Sequence, residues 1–202
     1  MNKKNDCPLL DCPINQFNQW LEEATRTELN DPNAMALATS TKDGIPSVRM
    51  VLLKQADKSG FKFHTNATSQ KGNELAENPH ASLCFHWKTL RKQVRINGII
   101  HVVDKQEADD YFMTRPYNRK IGAWASSQSQ QLESRAMLEK KIQALEEKYP
   151  EGTNIPRPEN WVGYRLVPSQ IEFWMDNPDR LHDRFLYTKN EQEHWDITRL
   201  YP

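Results

Sequence analysis

The fold is indicated most clearly by residues 34–65, which read AMALATSTKDGIPSVRMVLLKQADKSGFKFHT. Apolar residues alternate with other residues along three runs, and this period of two predicts β-strands over Ala34–Thr39, Ser47–Lys54 and Phe61–Thr65. Short connectors that contain Asp, Ser and Gly separate the runs, and such connectors form tight turns. We therefore expect these three strands to form an antiparallel meander.

The rest of the chain continues this pattern with a few helices between the strands. Further strands are predicted at Ala81–Trp87, Lys92–Val103, Val162–Val167, Gln170–Trp174, Arg180–Tyr187 and Trp195–Leu200. Helices are predicted from Ile14 to about Asn30, over Thr68–Asn78, from Asp104 to a point before Pro116, and over Leu132–Tyr149. The sequence therefore predicts an α+β, mainly antiparallel β fold built around a β-barrel. We expect residues 1–13 to be a loose arm and 14–202 to be a single domain.

Charge and composition limit the classes of function. Lys plus Arg and Asp plus Glu each number 27 in 202 residues, so no net charge attracts nucleic acid or an anionic membrane surface. The N-terminus has no apolar segment typical of a leader, and no apolar run is long enough to span a membrane. We therefore expect a cytoplasmic protein that binds neither nucleic acid nor a membrane. With only 7 Gly and no Gly-rich phosphate loop, Arg and Lys side chains must bind any phosphate.

The strongest candidate site follows the predicted strand at Gln170–Trp174. In a strand, Arg180, His182 and Arg184 share one face, because residues two apart point the same way. Three cationic or titratable side chains on one face indicate an anionic or electron-rich ligand. The alternative is a surface ladder paired with carboxylates such as Asp179 or Glu172, and the spacing alone leaves both open.

Other basic residues form weaker candidates. Arg49 and Lys54 lie on one predicted strand with opposite parity, roughly 16 Å apart, which suits two separate anionic groups. Tyr111 and Arg115 share one helix face, and Lys71 follows a helix start that could hold a phosphate. Solvated charges and ordinary packing are the commoner explanations of such patterns. The His and Cys spacings predict no metal site.

The sequence also resembles a known family in several blocks. Glu172-Phe173-Trp174 followed by Arg180-Leu181-His182-Asp183-Arg184 closely resembles the C-terminal signature of the pyridoxamine (pyridoxine) 5′-phosphate oxidases. Blocks that resemble the same family, in family order, include residues 33–35, 49–54, 63–66, 69–71, 85–87, 91–95, 121–124, 128–129 and 199–202. The resemblance runs from about Asn30 to the C-terminus.

The resemblance implies a homodimer of FMN-binding split β-barrels with inserted helices and with flavin between the subunits. The residues implied for FMN are Arg49, Met50, Val51, His64, Thr65, Gln70, Lys71, Gln93, Gln128, Ser129, Trp174 and Arg184. The residues implied for the substrate phosphate are Lys54, Tyr111, Arg115 and Arg119. Arg180 and His182 are implied to face the substrate ring as the catalytic pair.

The implied reaction oxidises pyridoxamine 5′-phosphate and pyridoxine 5′-phosphate to pyridoxal 5′-phosphate, with O2 as acceptor and H2O2 as product. Three positions depart from the usual family pattern. Arg119 stands where many members have Ser, Gln70 where some have Arg, and Met175 where the residue is often polar. The competing interpretations are a flavoenzyme with another substrate on the same barrel and a non-enzymatic carrier of flavin or pyridoxal phosphate.

Overall fold

The computed structural model describes residues 8–202. Within that range the strands are β1 (Ala34–Ser40), β2 (Pro46–Leu52), β3 (Gln55–Asp57), β4 (Gly60–Asn66), β5 (His80–Trp87), β6 (Lys92–Val102), β7 (Trp161–Met175), β8 (Asp183–Lys189) and β9 (Trp195–Leu200). The helices are α1 (Pro13–Thr27), α2 (Gln70–Glu77), α3 (Lys105–Met113), α4 (Tyr117–Ala125) and α5 (Arg135–Lys148). None of these helices has the length and apolar character needed to cross a membrane.

The strands form one antiparallel sheet that curls back on itself. Its main path runs β2-β1-β5-β6-β7-β4-β3, and β8 and β9 extend from β7. The two ends of this path, β2 and β3, are joined through only Leu53 and Lys54. The Leu53 N–H donates to Asn33 O, beside β1, and the Lys54 N–H donates to Lys62 O in β4. The chain therefore crosses from one end of the path to the other in two residues, which confirms the predicted barrel.

The predicted meander is wrong at its second turn. β1 pairs with β2, as expected, but β4 pairs with β3 and β7, and β2 has no second neighbour in the sheet. The short strand β3 was not predicted, and it starts the hairpin with β4. Turn chemistry reports only local direction, whereas the neighbour of β4 is a strand about 100 residues further along the chain.

The two predicted strands at Val162–Val167 and Gln170–Trp174 are one continuous strand, β7. Its pairing with β6 shifts register between Asn97 and Gly98, and Gly98 faces Pro168 there. A Pro is tolerated at such a bulge because its missing N–H breaks no regular ladder bond. Gly98 is required at this point, since a Cβ would lie 2.1 Å from Val167 O.

Helix α1 packs its apolar face into the barrel, as its periodicity predicts. The centroid of the Phe17 ring lies 4.9 Å from that of Phe61 and 4.8 Å from that of Phe85. The ring centroids of Trp20 and Phe173 are 5.1 Å apart. In the preceding segment, Leu10 O accepts a hydrogen bond from the Tyr187 hydroxyl at 2.7 Å. Residues 1–7 of the predicted arm lie outside the described range.

The other helices position the candidate site. α2 begins after Ser69, whose side chain accepts from the Gly72 N–H, and this confirms the helix predicted over Thr68–Asn78. α3 begins after Asp104 and ends before Pro116, also as predicted. α4 was not predicted, because it follows Pro116 without a side-chain cap.

The predicted strand from Arg180 is wrong over its first three residues. Pro178–Arg180 forms a 3-10 turn, with Asp179 and Arg180 both at positive φ, and β8 begins only at Asp183. Arg180, His182 and Arg184 therefore do not share one strand face, contrary to the prediction. Pro178 starts the turn because its ring fixes φ and it has no N–H to pair with a neighbouring strand.

Candidate active site

One large cavity, which we call the cation-lined cavity, has a volume of about 710 Å³. It lies between β2, β4, α2 and the segment that joins α3 to α4. It brings together Arg49, Met50, Val51, Lys54, His64, Thr65, Gln70, Lys71, Tyr111, Arg115, Arg119, Gln128 and Ser129. Five of its lining residues are Lys or Arg. The lining contains no Asp or Glu among the residues that the structure describes. A cavity lined in this way attracts anions.

Lys71 is the most buried of these cations. Its Nζ donates to Gln128 Oε1 at 3.0 Å, Ser69 Oγ at 3.2 Å and Thr65 Oγ1 at 3.4 Å. All three acceptors are uncharged. Burial lowers the pKa of the Lys71 ammonium, and the nearby charge of Arg49 lowers it further. An anion bound at this end of the cavity would offset both effects.

Arg49 lies at the same end and is held by a buried network. Its Nη1 donates to Thr39 Oγ1, and its Nη2 donates to Ser47 Oγ at 2.5 Å. Both hydroxyls in turn donate to Glu74 Oε2, and Arg49 Nη2 lies 3.3 Å from that same oxygen. Burial raises the pKa of Glu74, but hydrogen bonds from Ser47, Thr39 and Gln70 outweigh it and hold the pKa below its usual value.

Glu74 and Thr39 were not predicted to belong to the site. Glu74 is 25 residues from Arg49, and no local pattern connects a helix residue with a strand residue at that separation. The one available signal was Ser47, which lies two residues before Arg49 and therefore on the same face of β2.

A second group of cations in the same cavity consists of Lys54, Arg115 and Arg119. The Arg115 guanidinium lies over the Trp161 ring, 4.7 Å from its centroid, and its buried Nη1 has no hydrogen-bond partner. The side chains of Lys54 and Arg119 form no hydrogen bond or ion pair with any described residue. Burial lowers the pKa of Arg115, and Arg119 lowers it further. Three cations without an acidic partner indicate a second anion position.

Parallel aromatic rings form the wall beside this second group. The ring centroids of His64 and Tyr111 are 4.2 Å apart with an interplanar angle of 12°. Those of His64 and Trp161 are 4.8 Å apart with an angle of 7°. Both ring nitrogens of His64 are buried and have no partner among the described residues. Burial lowers the pKa of His64 to about 4, helped by the charges of Lys62, Lys54 and Arg115. At neutral pH the ring is therefore uncharged, with one nitrogen as a donor and the other as an acceptor.

The low pKa of His64 predicts a specific pH dependence of stability. Between about pH 6.5 and about pH 4 the unfolded chain protonates this histidine and the folded chain does not, so the free energy of unfolding falls as the pH falls through this window. We expect the ligand-free His64→Phe variant, which keeps a stackable ring, to lose less stability over this range than the ligand-free parent protein. Urea unfolding at several pH values measures this, with His194→Phe at an exposed histidine as control. Equal pH slopes for the parent and His64→Phe would contradict the assignment.

The remaining predicted site residues lie outside the cation-lined cavity. Trp174, Arg180 and His182 line a second cavity of about 690 Å³, which we call the Trp174 cavity. The His182 ring lies 4.7 Å from Trp174, and its Nδ1 accepts a hydrogen bond from the Asn177 N–H at 3.2 Å. Asp176 Oδ1 is also 3.2 Å from Nδ1. These three contacts set the orientation of the His182 imidazole ring. Gln93 pairs with Trp174 across β6 and β7.

Arg184 faces Trp174 across β7 and β8 but is already paired within the chain. Its Nε donates to Glu172 Oε1 at 2.9 Å, and its Nη1 donates to Tyr201 O at 3.0 Å. Glu172 also accepts from Arg95. Of the two interpretations that the spacing left open, the carboxylate pairing therefore holds for Arg184. Arg180 is exposed and forms no ion pair with a described residue.

One chain therefore separates most of the predicted residues into two cavities whose linings share no residue, and Gln93 and Arg184 line neither of them. The outer face of β2, next to the cation-lined cavity, carries exposed apolar side chains, with Val48 67% and Met50 65% exposed. An edge strand with an apolar exposed face is a typical surface for association with another chain.

Comparison with known proteins identifies the family. A family model described as pyridoxamine 5′-phosphate oxidase matches residues 21–149, and one described as the pyridoxine 5′-phosphate oxidase C-terminal dimerisation region matches residues 161–202. The chain belongs to the pyridoxamine 5′-phosphate oxidase family. The resemblance found in the sequence is thereby confirmed.

Relatives within this oxidase family match nearly the whole chain. A pyridoxine/pyridoxamine 5′-phosphate oxidase of Bartonella henselae is 56% identical over 200 residues, which cover 98% of this chain and 96% of the relative. One of Pelagibacter ubique is 50% identical over 208 residues and covers both chains fully. The crystal structure of PhzG from Burkholderia lata, in complex with tetrahydrophenazine-1-carboxylic acid, has a TM-score of 0.90 and 34% identity, covering 100% of this chain and 98% of PhzG.

A more distant structure supports the fold alone. An FMN-binding protein of Nostoc punctiforme, related to pyridoxamine 5′-phosphate oxidase, has a TM-score of 0.75 and 18% identity, covering 95% of this chain and 98% of its own.

The two cavities fall largely into different matched regions of this family. Trp174, Arg180, His182 and Arg184 all belong to the region described as a dimerisation region. The cation-lined cavity draws all but Trp161 from the other region.

Proposed function

We propose that this chain is an FMN-dependent oxidase that converts pyridoxamine 5′-phosphate and pyridoxine 5′-phosphate to pyridoxal 5′-phosphate, with O2 reduced to H2O2. The observation that carries the proposal is the cation-lined cavity, whose five basic residues form two groups with no acidic residue among the described lining. Two phosphates, one on the cofactor and one on the substrate, match these two groups. Pyridoxine phosphate plus O2 gives the aldehyde plus H2O2, and the amine additionally consumes water and releases ammonia.

The residues present fit FMN. Lys71 and Arg49 would bind its phosphate near the start of α2, where the helix dipole also favours an anion. Thr65, Gln70, Gln128 and Ser129 line the same end and offer neutral hydrogen-bonding groups. When bound, FMN supplies the redox chemistry, since it accepts a hydride from the substrate and is reoxidised by O2.

The second group of cations would bind the substrate phosphate. Lys54, Arg115 and Arg119 line the cavity together with the Tyr111 ring. The partnerless Nη1 of Arg115 is a free donor for a phosphate oxygen. Arg119 adds a third cation where many family members have Ser. The parallel rings of His64, Tyr111 and Trp161 would exclude water from one side of the site.

We further propose that the active protein is a homodimer with its site between subunits. Arg180 and His182 lie in the Trp174 cavity of their own chain, so they would reach a substrate in the cation-lined cavity of the other subunit. Trp174 and Arg184 would approach the flavin from the same side. The exposed apolar face of β2 gives such a dimer a surface to bury. His182 and Arg180 would then hold the pyridine ring in the orientation for hydride transfer.

An oxidase assay tests the proposed function against its rivals. We expect the purified protein to contain about one non-covalent FMN per subunit and to produce pyridoxal phosphate and H2O2 in equal amounts from pyridoxine phosphate in air. Pyridoxine without its phosphate is the matched control substrate. Bound flavin without turnover would favour a carrier, whereas flavin reduction by a different substrate alone would favour another oxidoreductase on the same barrel.

A further inference from the structure

We propose that Glu74 is a positioning residue for the cofactor phosphate, acting through Arg49. The inference rests on the proposed function, because it takes FMN as the ligand of the cation-lined cavity. Glu74 does not line that cavity, whereas Arg49, Ser47 and Gln70 do. The carboxylate therefore lies behind the guanidinium and would act on the phosphate only indirectly.

The contacts show how Glu74 holds Arg49. Thr39 Oγ1 and Ser47 Oγ each accept a hydrogen bond from the guanidinium and each donate one to Glu74 Oε2. Two hydroxyl bridges and the direct 3.3 Å approach thus fix one side of the Arg49 side chain. None of these bonds uses Arg49 Nε, which stays available to a ligand.

The other carboxylate oxygen ties this network to helix α2. Glu74 Oε1 accepts from Gln70 Nε2 at 3.0 Å, and Lys71 follows Gln70 directly in the same helix. Strand β2, which carries Arg49, and helix α2, which carries Lys71, are therefore connected at the end of the cavity where the phosphate would bind. A free arginine loses side-chain entropy when it binds a phosphate, and an arginine that is already held loses less.

Flavin titrations of the apoprotein test this role. We expect Glu74→Gln to raise the Kd for FMN about tenfold, which corresponds to immobilising one otherwise free arginine side chain. The Kd for riboflavin, which has no phosphate, should not change. Glu77→Gln, at an exposed position of the same helix, is the matched control. Thr39→Val removes one hydroxyl bridge without removing a charge, and it should shift the FMN Kd in the same direction even if Glu74→Gln folds poorly.

A double-mutant cycle separates positioning from a general structural role. If Glu74 acts through Arg49, Glu74→Gln should have no further effect on FMN binding in an Arg49→Ala background. An equal loss in both backgrounds, an equal loss for FMN and riboflavin, or an unchanged FMN Kd in both Glu74→Gln and Thr39→Val would overturn the proposal. If the parent protein itself binds riboflavin as tightly as FMN, the proposed phosphate site fails, and this role of Glu74 fails with it.

Discussion

Replacing His182 with alanine is expected to lower kcat/KM for pyridoxine 5′-phosphate by roughly 100-fold, the usual cost of losing a group that orients the substrate. Bound FMN should remain nearly intact, because the ring of His182 is proposed to face the substrate. Arg180→Ala should behave in the same way. The measurement is single-turnover reduction of the bound flavin, together with the FMN content of each variant.

Two comparisons make this prediction specific. His194→Ala, at an exposed histidine, should leave both quantities unchanged. Arg184→Ala should instead weaken flavin retention, because Arg184 lies opposite Trp174 and next to the proposed flavin position. If the His182→Ala enzyme reduces its flavin at the parent rate, with both saturating and subsaturating substrate, His182 does not orient the substrate and the prediction is wrong.

The same variants test whether the site lies between subunits. When His182→Ala and Arg49→Ala chains are mixed and allowed to exchange, half of the dimers are mixed, and each mixed dimer has one site with both residues intact. At an FMN concentration that loads parent sites but not Arg49→Ala sites, activity should therefore recover to about a quarter of the parent value. No recovery, in a mixture shown to exchange subunits, would place both residues in the same chain's site.

Arg49→Ala is expected to raise the Kd for FMN by about ten- to 150-fold. The change removes the proposed charge-assisted hydrogen bond to the phosphate, which is worth about 1.5–3 kcal/mol. Fluorescence titration of the apoprotein gives the Kd directly. Lys58→Ala removes a surface cation of equal charge and controls for long-range attraction, which salt screens.

The stability of Arg49→Ala must be followed in parallel, because this variant leaves Glu74 buried without its arginine. Arg49→Lys keeps the positive charge but not the geometry of the guanidinium, so we expect an intermediate Kd. An Arg49→Ala protein that folds normally and binds FMN with parent affinity would remove Arg49 from the phosphate site.

Local elements of this fold were accessible from the sequence because local rules determine them. The period of two identified nearly every strand, and the helices expected from Thr68 and from Asp104 begin after Ser69 and Asp104, whose side chains cap α2 and α3. Where a local rule had an exception, the prediction failed. The break predicted between Val167 and Gln170 is absent, because a bulge opposite Gly98 accommodates Pro168. Pro178 gave no sign that the next two residues would take positive φ.

The sequence by itself determined which kinds of residue could bind phosphate, since a chain with few glycines and no net charge must use individual Arg and Lys side chains. Only the tertiary structure decided how those side chains are grouped. It placed Lys71 with Arg49, placed Arg115 with Lys54, and left Arg180 and His182 in a separate cavity. It also supplied Glu74, which no pattern in the sequence connects to Arg49. The reason is physical: periodicity and capping depend on residues a few positions apart, whereas the closure of the barrel brings together strands and helices that are far apart in the chain.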